Sequence, residues 1–160
     1  MAVAACLVAC VGLSATAGTY TARVVAISDG DTLTVLDAHR LQHKIRLAGI
    51  DAPEKRQPWG ERARQSLGEL VFERVVEVEV RKKDRYGRAI GRVRVDGVDV
   101  NLELLQRGLA WHYKAYEREQ PEQERDAYAR AEREARAGRQ GLWSDARPVA
   151  PWDYRRGRRP

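Results

Sequence analysis

The run Val76-Glu77-Val78-Glu79-Val80 alternates strictly between apolar and acidic residues. This period of two is typical of a β-strand with one face buried and the other face in water. Four further runs are rich in Thr, Val, Ile or Leu and also have the composition of strands: residues 19–27, 32–36, 43–47 and 88–95. Turn signals such as Asp29-Gly30 connect several of these runs. The sequence therefore predicts strands in hairpin and meander order.

Helical spacing replaces this alternation in three segments. Over residues 60–73, between the third and fourth strands, apolar residues recur at intervals of three and four. Asn101 is expected to cap a short helix that ends at Gly108, and Pro121 to open a long helix to about residue 137. The order of elements predicts a mainly β fold with helices (α+β): a five-stranded OB-fold barrel with one helix between strands 3 and 4 and two C-terminal helices. The pattern alone is also compatible with other small barrels.

The length and charge of the chain set broad limits on its function. Its 160 residues favour one domain with room for a core. The 29 basic and 23 acidic residues give a net charge of +6 and a pI of about 9.6. A basic balance fits a polyanionic partner, such as nucleic acid or an acidic membrane surface. It fits an ordinary solvated basic surface equally well, so charge alone assigns no function.

Residues 1–17 have the character of a secretory signal peptide. Residues 2–13 are almost wholly small and apolar, and no charged side chain precedes Arg23. Ala15-Thr16-Ala17 supplies a small-x-small cleavage pattern, although the usual Lys or Arg at the start is missing. The apolar run is too short to span a bilayer. We therefore expect a secreted or periplasmic protein with no transmembrane span once the leader is removed.

Both cysteines, Cys6 and Cys10, lie in this leader. Cleavage after Ala17 would leave a chain without a disulfide, a thiolate metal site or a cysteine nucleophile. Residues 7–10 also resemble a bacterial lipobox, in which Cys10 would be lipidated and would anchor the protein to the envelope. We expect ordinary cleavage and keep lipoprotein anchoring through Cys10 as the alternative.

The rest of the chain divides into a domain over residues 18–146 and a basic tail over residues 147–160. The tail is rich in Pro and Arg, a composition typical of an extended or disordered terminus. Its Arg155-Arg156-Gly157-Arg158-Arg159 run could add non-specific affinity for phosphates, which salt would weaken. A solvated terminus without such a role is the simpler interpretation.

Acidic and basic residues gather where strands give way to loops. The carboxylates of Asp31, Asp51 and Glu54 would suit a hard cation such as calcium, which prefers oxygen ligands in irregular geometry. Asp is also common in ordinary turns, so each acid alone has a structural explanation. Arg46 and Arg88 are candidates for phosphate binding, because a guanidinium presents paired donors and stays charged. Each of them could equally be a solvated surface arginine.

The aromatic residues and histidines are less informative. Tyr86 and Tyr113 could stack on bases or hydrogen-bond a phosphate, and either could equally belong to the core. The histidines His39, His43 and His112 have no metal-ligand spacing such as H-E-x-x-H, and we expect them at the surface. The tyrosines thus add a candidate substrate surface, and the histidines add no metal-binding motif.

Five short motifs follow one another in an order and spacing that is specific, although each alone is weak. They are Asp29-Gly30-Asp31-Thr32, Arg46-Leu47 with Asp51-Ala52-Pro53-Glu54, Asp84-Arg85-Tyr86-Gly87-Arg88, Gly108-Leu109-Ala110 and Gly141-Leu142-Trp143-Ser144. From about residue 20 to residue 143 the sequence resembles the staphylococcal nuclease (thermonuclease) family. The resemblance implies an OB-fold barrel with an active site on its surface.

The resemblance also implies a calcium site. By position, Asp31 and Asp51 resemble the carboxylate ligands of Ca²⁺, and Ala52 would contribute its backbone carbonyl. The family more often has threonine at the place of Ala52, a change that should cost little because the ligand atom is main-chain. Glu54 resembles the residue that accepts a proton from the attacking water or orients that water.

The same comparison implies a phosphodiesterase. Arg46 and Arg88 resemble the pair that holds the phosphate and stabilises the transition state, and Tyr86 and Tyr113 resemble substrate-contacting tyrosines. In the family the 5′-oxygen leaves, and both DNA and RNA are accepted with little sequence specificity. We expect single strands or frayed ends to be preferred, because a barrel face with aromatic residues accepts unstacked bases.

Two other functions remain open from the sequence. Some relatives with this fold lack the active-site acids and bind nucleic acid without cutting it, whereas Asp51 and Glu54 are both present here. An envelope interaction protein anchored through Cys10 is the other alternative. For the nuclease we expect a monomer with no stable protein partner.

Overall fold

The computed structural model describes residues 18–157, so the predicted signal peptide, the lipobox and the last three residues of the tail lie outside the described part. Eight strands lie within it: β1 Gly18–Asp29, β2 Thr32–Leu36, β3 Gln42–Leu47, β4 Ile50–Asp51, β5 Val75–Lys83, β6 Ala89–Val95, β7 Val98–Asp99 and β8 Trp111–His112. The five long strands correspond to the five predicted ones. The others have two residues each, too few for a period of two to be visible in the sequence.

The five long strands form a closed barrel. β1 pairs antiparallel with both β2 and β5, which in turn pair antiparallel with β3 and β6. A parallel pairing of β3 with β6 closes the ring, with Ile45 opposite Ala89 and Leu47 opposite Gly91. This mixed five-stranded barrel with accompanying helices confirms the predicted OB-fold, mainly β with helices.

Four α-helices accompany the barrel: α1 Gly60–Val71, α2 Val100–Gln106, α3 Glu122–Ala137 and α4 Pro151–Arg155. Two 3₁₀ segments, Lys114–Glu119 and Gly141–Ser144, connect the later helices. The helix predicted between the third and fourth barrel strands is α1. The two predicted C-terminal helices are α2 and α3, and α4 is an additional short helix. None of the helices within the described range is long and apolar enough to cross a membrane.

The core fills the barrel and the space under α1. Val76, Val78 and Val80 are buried, whereas Glu77 and Glu79 between them are partly exposed, which is the arrangement the alternating run predicts. The helix α1 contacts β1 and presents a fully buried stripe of residues four apart: Ala63, Leu67 and Val71. The buried faces of β5 and α1 thus belong to one core.

The start of α2 differs from the sequence prediction. Asp99, not Asn101, caps the helix, because the Asp99 side chain accepts a hydrogen bond from the backbone N–H of Leu102 (3.1 Å). Asn101 is fully buried. Its side chain accepts from the N–H of Val93 in β6 (3.1 Å) and donates to the carbonyl of Ala48 (2.9 Å). Asn101 therefore ties α2 and β6 to the loop that follows β3.

The tail also differs from the expectation of an extended or disordered segment over residues 147–160. Within it, α4 begins with Pro151, a residue whose fixed φ suits the first turn of a helix. Ala150 and Pro151 are buried, and the ring of Trp152 lies 5.5 Å from that of Trp111. The Pro and Arg content predicted disorder, but Trp152 between the charged residues packs against Trp111 of β8.

Replacing Asn101 by alanine should leave the N–H of Val93 and the carbonyl of Ala48 buried without their partners. We expect the free energy of unfolding to fall by about 2–4 kcal/mol, the cost of two such groups. Urea unfolding measures this loss. Gln106→Ala, at an exposed position of the same helix, is the matched control and should change stability little. Equal small losses in the two variants would show that Asn101 does not hold the loop.

Candidate active site

The eight site residues predicted from the sequence line one cleft of about 890 Å³: Asp31, Arg46, Asp51, Ala52, Glu54, Tyr86, Arg88 and Tyr113. They come from the β1–β2 turn, from β3, from β4 and the loop after it, from the β5–β6 loop and from the segment after β8. β3 lies beside both β2 and β6, and β4 pairs with β8. These pairings bring the separate segments to one place.

Asp31 is fixed in the turn between β1 and β2, where it is 6% exposed. Its Oδ2 accepts a hydrogen bond from the N–H of Ala52 (2.8 Å), and its Oδ1 accepts one from the hydroxyl of Thr32 (3.1 Å). Gly30 permits this close packing, because a Cβ at that position would lie 2.6 Å from the Cβ of Ala63 and 2.7 Å from that of Ala52. The turn is therefore packed against α1 and against the loop that follows β4.

Arg46 joins the two buried acids. Its Nη1 lies 2.9 Å from Oδ2 of Asp31, and its Nη2 lies 2.9 Å from Oδ1 of Asp51. Nη1 also donates to the carbonyls of Leu47 (3.1 Å) and Ile50 (3.0 Å). The side chain of Arg46 is only 14% exposed. Both carboxylates thus face a single guanidinium that has little freedom to move.

The charge around Asp31 is not balanced by Arg46 alone. Burial raises the pKa of the Asp31 carboxyl to about 7, the charge of Arg46 opposes the rise, and the charges of Asp29 and Asp51 add to it.

Nowhere in residues 18–157 do three His, Cys, Asp or Glu side chains gather as a metal-binding group. Two buried carboxylates still offer the oxygen donors of a hard cation, with water and main-chain oxygen as further ligands. The donor chemistry therefore fits calcium.

Glu54 lies in the loop between β4 and α1, with its side chain 39% exposed. Its N–H donates to Oε1 of Gln57 (3.1 Å). Gly60, the first residue of α1, packs so close that a Cβ there would lie 1.9 Å from the carbonyl oxygen of Glu54. The loop backbone is thus fixed while the carboxylate stays accessible, a position suited to a group that moves a proton or orients water.

The β5–β6 loop presents Arg88 and Tyr86. Asp84 holds Arg88 through two contacts: its Oδ2 accepts from Nε (2.7 Å) and its Oδ1 from the backbone N–H (3.0 Å). No described residue accepts a hydrogen bond from the two terminal nitrogens of Arg88. The Tyr86 side chain is exposed, and the guanidinium carbons of Arg85 and Arg88 lie 4.9 Å and 5.6 Å from its ring centroid. This loop therefore offers free donors beside an accessible aromatic face.

Tyr113 reaches the cleft as part of an aromatic cluster. Its ring is stacked on that of Trp152, with centroids 5.5 Å apart and an interplanar angle of 19°. The ring of Tyr116 meets it edge-on at 5.2 Å. Tyr113 is partly buried by these contacts and also lines the cleft, so its role in substrate binding stays a prediction.

Arg155 in α4 is a site residue that the sequence did not indicate. Its Nη2 lies 2.7 Å from Oδ2 of Asp51, and its Nη1 lies 2.7 Å from Oε1 of Glu54. The hydrogen bonds to Asp51 are the main cause that raises the pKa of Arg155. The signal in the sequence was the stretch Pro151-Trp152-Asp153-Tyr154, whose aromatic residues are unusual in a disordered tail.

The expectation that all three histidines lie at the surface is wrong for His112. This residue in β8 is 1% exposed and pairs with Ile50 of β4. Its Nε2 hydrogen-bonds with Oε1 of Gln120 (2.8 Å), and Nε2 of Gln120 donates to Oε1 of Glu124 (2.8 Å). His112 is therefore a core residue, on the strand that pairs with β4. The other two histidines are exposed or partly exposed.

Comparison with known proteins identifies relatives of similar length. A protein named micrococcal nuclease from Shigella flexneri is 40% identical over 164 residues, which cover 97% of this chain and 91% of that protein. An uncharacterized endonuclease from Haemophilus influenzae is 41% identical over 136 residues, covering 85% of this chain and 73% of that protein.

Longer proteins also contain this domain. A probable staphylococcal-like nuclease from Oryza sativa subsp. japonica is 42% identical over 118 residues, which cover 74% of this chain and 34% of the plant protein. The chain thus spans about a third of the length of that relative. The family model described as "Staphylococcal nuclease homologue" matches residues 44–145, a segment that includes seven of the eight predicted site residues. The chain therefore belongs to the staphylococcal nuclease family.

Proposed function

We propose that this protein is a calcium-dependent endonuclease that hydrolyses phosphodiester bonds of DNA and RNA with little sequence specificity. The observation that carries the proposal is the convergence of Asp31, Asp51, Glu54, Arg46 and Arg88 on one cleft. Family membership and relatives named as nucleases support the hydrolytic part of the proposal. The calcium requirement rests on the chemistry of the donor set.

Calcium would be held by the carboxylates of Asp31 and Asp51 and by the carbonyl of Ala52. Bound there, a divalent cation would polarise the phosphate and position water, combining Lewis-acid and template roles. The buried setting of Asp31 supports this assignment, because a nearby positive charge would favour its ionised form.

Glu54 would accept a proton from the attacking water or orient it for attack on phosphorus. The supporting observations are its fixed loop backbone and its partly exposed carboxylate. In either role the carboxylate must reach water in the cleft, which an exposed fraction of 39% allows.

The two arginines would stabilise the negative charge that develops on the phosphate. Arg88 has terminal nitrogens with no protein acceptor in the described part of the chain, and Asp84 orients its guanidinium. Arg46 lies deeper and already contacts Asp31 and Asp51, so its donors would be shared between the acids and the phosphate. Paired donors on fixed backbones are well suited to a phosphoryl group.

The substrate would be a single strand or a frayed end. The exposed ring of Tyr86 beside two arginines supports this preference, because every base has a face that can stack on an aromatic ring. The reacting group is the backbone phosphate, which carries no sequence information, so low sequence specificity is expected. The partly buried ring of Tyr113 would line the same path.

The second candidate function is a nucleic-acid-binding protein without catalysis. It shares the basic charge, the barrel and the aromatic residues with the first. The presence of Glu54 with an accessible carboxylate favours the enzyme, because a module that only binds phosphates gains nothing from a further negative charge at that place.

Glu54→Gln should reduce cleavage of denatured DNA by about 10²–10⁴-fold at saturating calcium, because the amide cannot accept the proton of water. Excess chelator should abolish cleavage by the wild type. The assay follows acid-soluble nucleotides over time. Glu69→Gln, an exposed acid on α1, is the matched control and should retain activity. Wild-type protein that binds DNA but does not cut it in the presence of any divalent metal would leave only the binding function.

Calcium should raise the melting temperature of the wild type, because a ligand that binds only the folded state stabilises it by about 2.7 kcal/mol at 100 times its Kd. Asp31→Asn should lose most of this stabilisation by removing one carboxylate ligand. Differential scanning calorimetry with and without calcium measures both effects. Asp96→Asn, in the exposed turn after β6, should respond to calcium like the wild type. Equal calcium responses in the two variants would place the cation elsewhere.

We further propose a secreted or periplasmic monomer formed by removal of residues 1–17. The support is the apolar leader and its cleavage pattern. The mass of the mature N-terminus tests the proposal: a chain that begins at Gly18 is expected. A lipidated Cys10 would favour the lipid-anchored alternative, and a chain that retains Met1 would contradict both.

A further inference from the structure

The helix α4 is docked on the wall of the cleft by aromatic contacts. The ring of Trp152 is stacked on Tyr113 and meets Trp111 edge-on, each with centroids 5.5 Å apart. Ala150 and Pro151 before it are buried. An aromatic anchor with two ring partners fixes the position of a helix too short to be stable alone.

Two hydrogen bonds tie the same segment to the loop that carries Glu54. Nε2 of Gln57 donates to the carbonyl of Val149 (2.7 Å), and the hydroxyl of Tyr154 donates to the carbonyl of Arg56 (3.2 Å). Gln57 also accepts a hydrogen bond from the N–H of Glu54 (3.1 Å). The Gln57 side chain therefore holds both the backbone of Glu54 and the segment just before α4.

This anchoring places the guanidinium of Arg155 on the side of the cleft that carries Asp51 and Glu54. Arg155 spans Asp51 and Glu54 with contacts of 2.7 Å to each. Its side chain is 42% exposed, against 14% for that of Arg46. Arg46 is enclosed by the two acids it bridges, whereas Arg155 is partly exposed to solvent at the edge of the same site.

A phosphodiester that enters this cleft meets the carboxyl groups of Asp31, Asp51 and Glu54. The accessible arginine of the β5–β6 loop, Arg88, is itself paired with Asp84. Arg155 is the additional cation on the carboxylate side, and its planar fork of donors matches two phosphoryl oxygens. The helix that carries Arg155 is fixed, whereas the long side chain of Arg155 can rotate from the carboxylates to the phosphate.

We propose that Arg155 is a third phosphate-binding arginine of the active site, which neutralises Asp51 and Glu54 in the free protein and contacts the scissile phosphate of a bound strand. The proposal rests on the proposed nuclease function and adds to it a residue outside the segment matched by the family model, residues 44–145. The alternative roles are an inhibitory latch, which only blocks the acids, and a solvated surface arginine.

The proposed role has two consequences of opposite sign. In the free protein the ion pair with Asp51 competes with a cation for that carboxylate, so removal of Arg155 should strengthen calcium binding. During the reaction Arg155 supplies positive charge to the phosphate, so its removal should weaken catalysis. A latch would show the first effect together with faster cleavage, and a solvated arginine would show neither effect.

The experiment compares the wild type with Arg155→Gln, Arg155→Lys and the control Arg156→Gln. Arg156 is exposed, and its substitution changes the net charge equally. Isothermal calorimetry gives the calcium Kd without nucleic acid, and initial rates on denatured DNA at saturating calcium give kcat and KM. Melting temperatures verify that each variant is folded.

For Arg155→Gln we expect a several-fold lower calcium Kd and a kcat/KM about 10- to 100-fold below wild type, with most of the loss in kcat. Arg155→Lys should recover part of the rate, because it keeps the charge and loses the planar fork. Arg156→Gln should match the wild type in both measurements.

Three outcomes would overturn the role of Arg155. Cleavage by Arg155→Gln that is faster than wild type would assign a latch, and values equal to those of Arg156→Gln would assign a solvated arginine. A lower rate with a matching fall in melting temperature and no recovery in Arg155→Lys would assign a structural role. A wild-type protein without calcium-dependent cleavage would instead overturn the proposed function itself.

Discussion

The site depends on the ion pairs by which Arg46 holds Asp31 and Asp51 together. These contacts connect the β1–β2 turn, β3 and β4, three elements that the barrel alone brings only into proximity. Removing one partner of a buried charge pair leaves the other uncompensated, at a cost of several kcal/mol. Arg46, which we propose as a phosphate ligand, therefore also has a structural role. We expect its replacement to affect folding as well as chemistry, unlike replacement of the more exposed Arg88.

Much of the fold and of the cleft could be predicted because the relevant signals are local. The alternation at Val76-Glu77-Val78-Glu79-Val80 reflects one buried strand face, and the turn at Asp29-Gly30 follows from backbone preference. The predicted site residues lie in short motifs at strand ends, and strand ends converge in a closed barrel. The parallel pairing of β3 with β6 has no local signal, since it depends on barrel closure.

The remaining differences from prediction arise from contacts between distant segments. The choice of Asp99 over Asn101 as helix cap follows from the buried hydrogen bonds of Asn101 to β6 and the loop after β3. His112 is in the core because β8 pairs with β4. Arg155 could not be assigned by composition, because its place depends on where Trp152 docks. These three positions could be assigned only from the tertiary structure, because tertiary contacts outweigh local propensity.

The docking of α4 places the C-terminal part of the described chain beside the carboxylates of Asp51 and Glu54. A polypeptide fused after residue 160 would begin, in sequence, only a few residues beyond the guanidinium of Arg155. A histidine tag at this end would bring further metal ligands close in sequence to a residue that contacts Asp51 and Glu54. Loss of the same end by proteolysis would leave the barrel closed and one wall of the cleft missing.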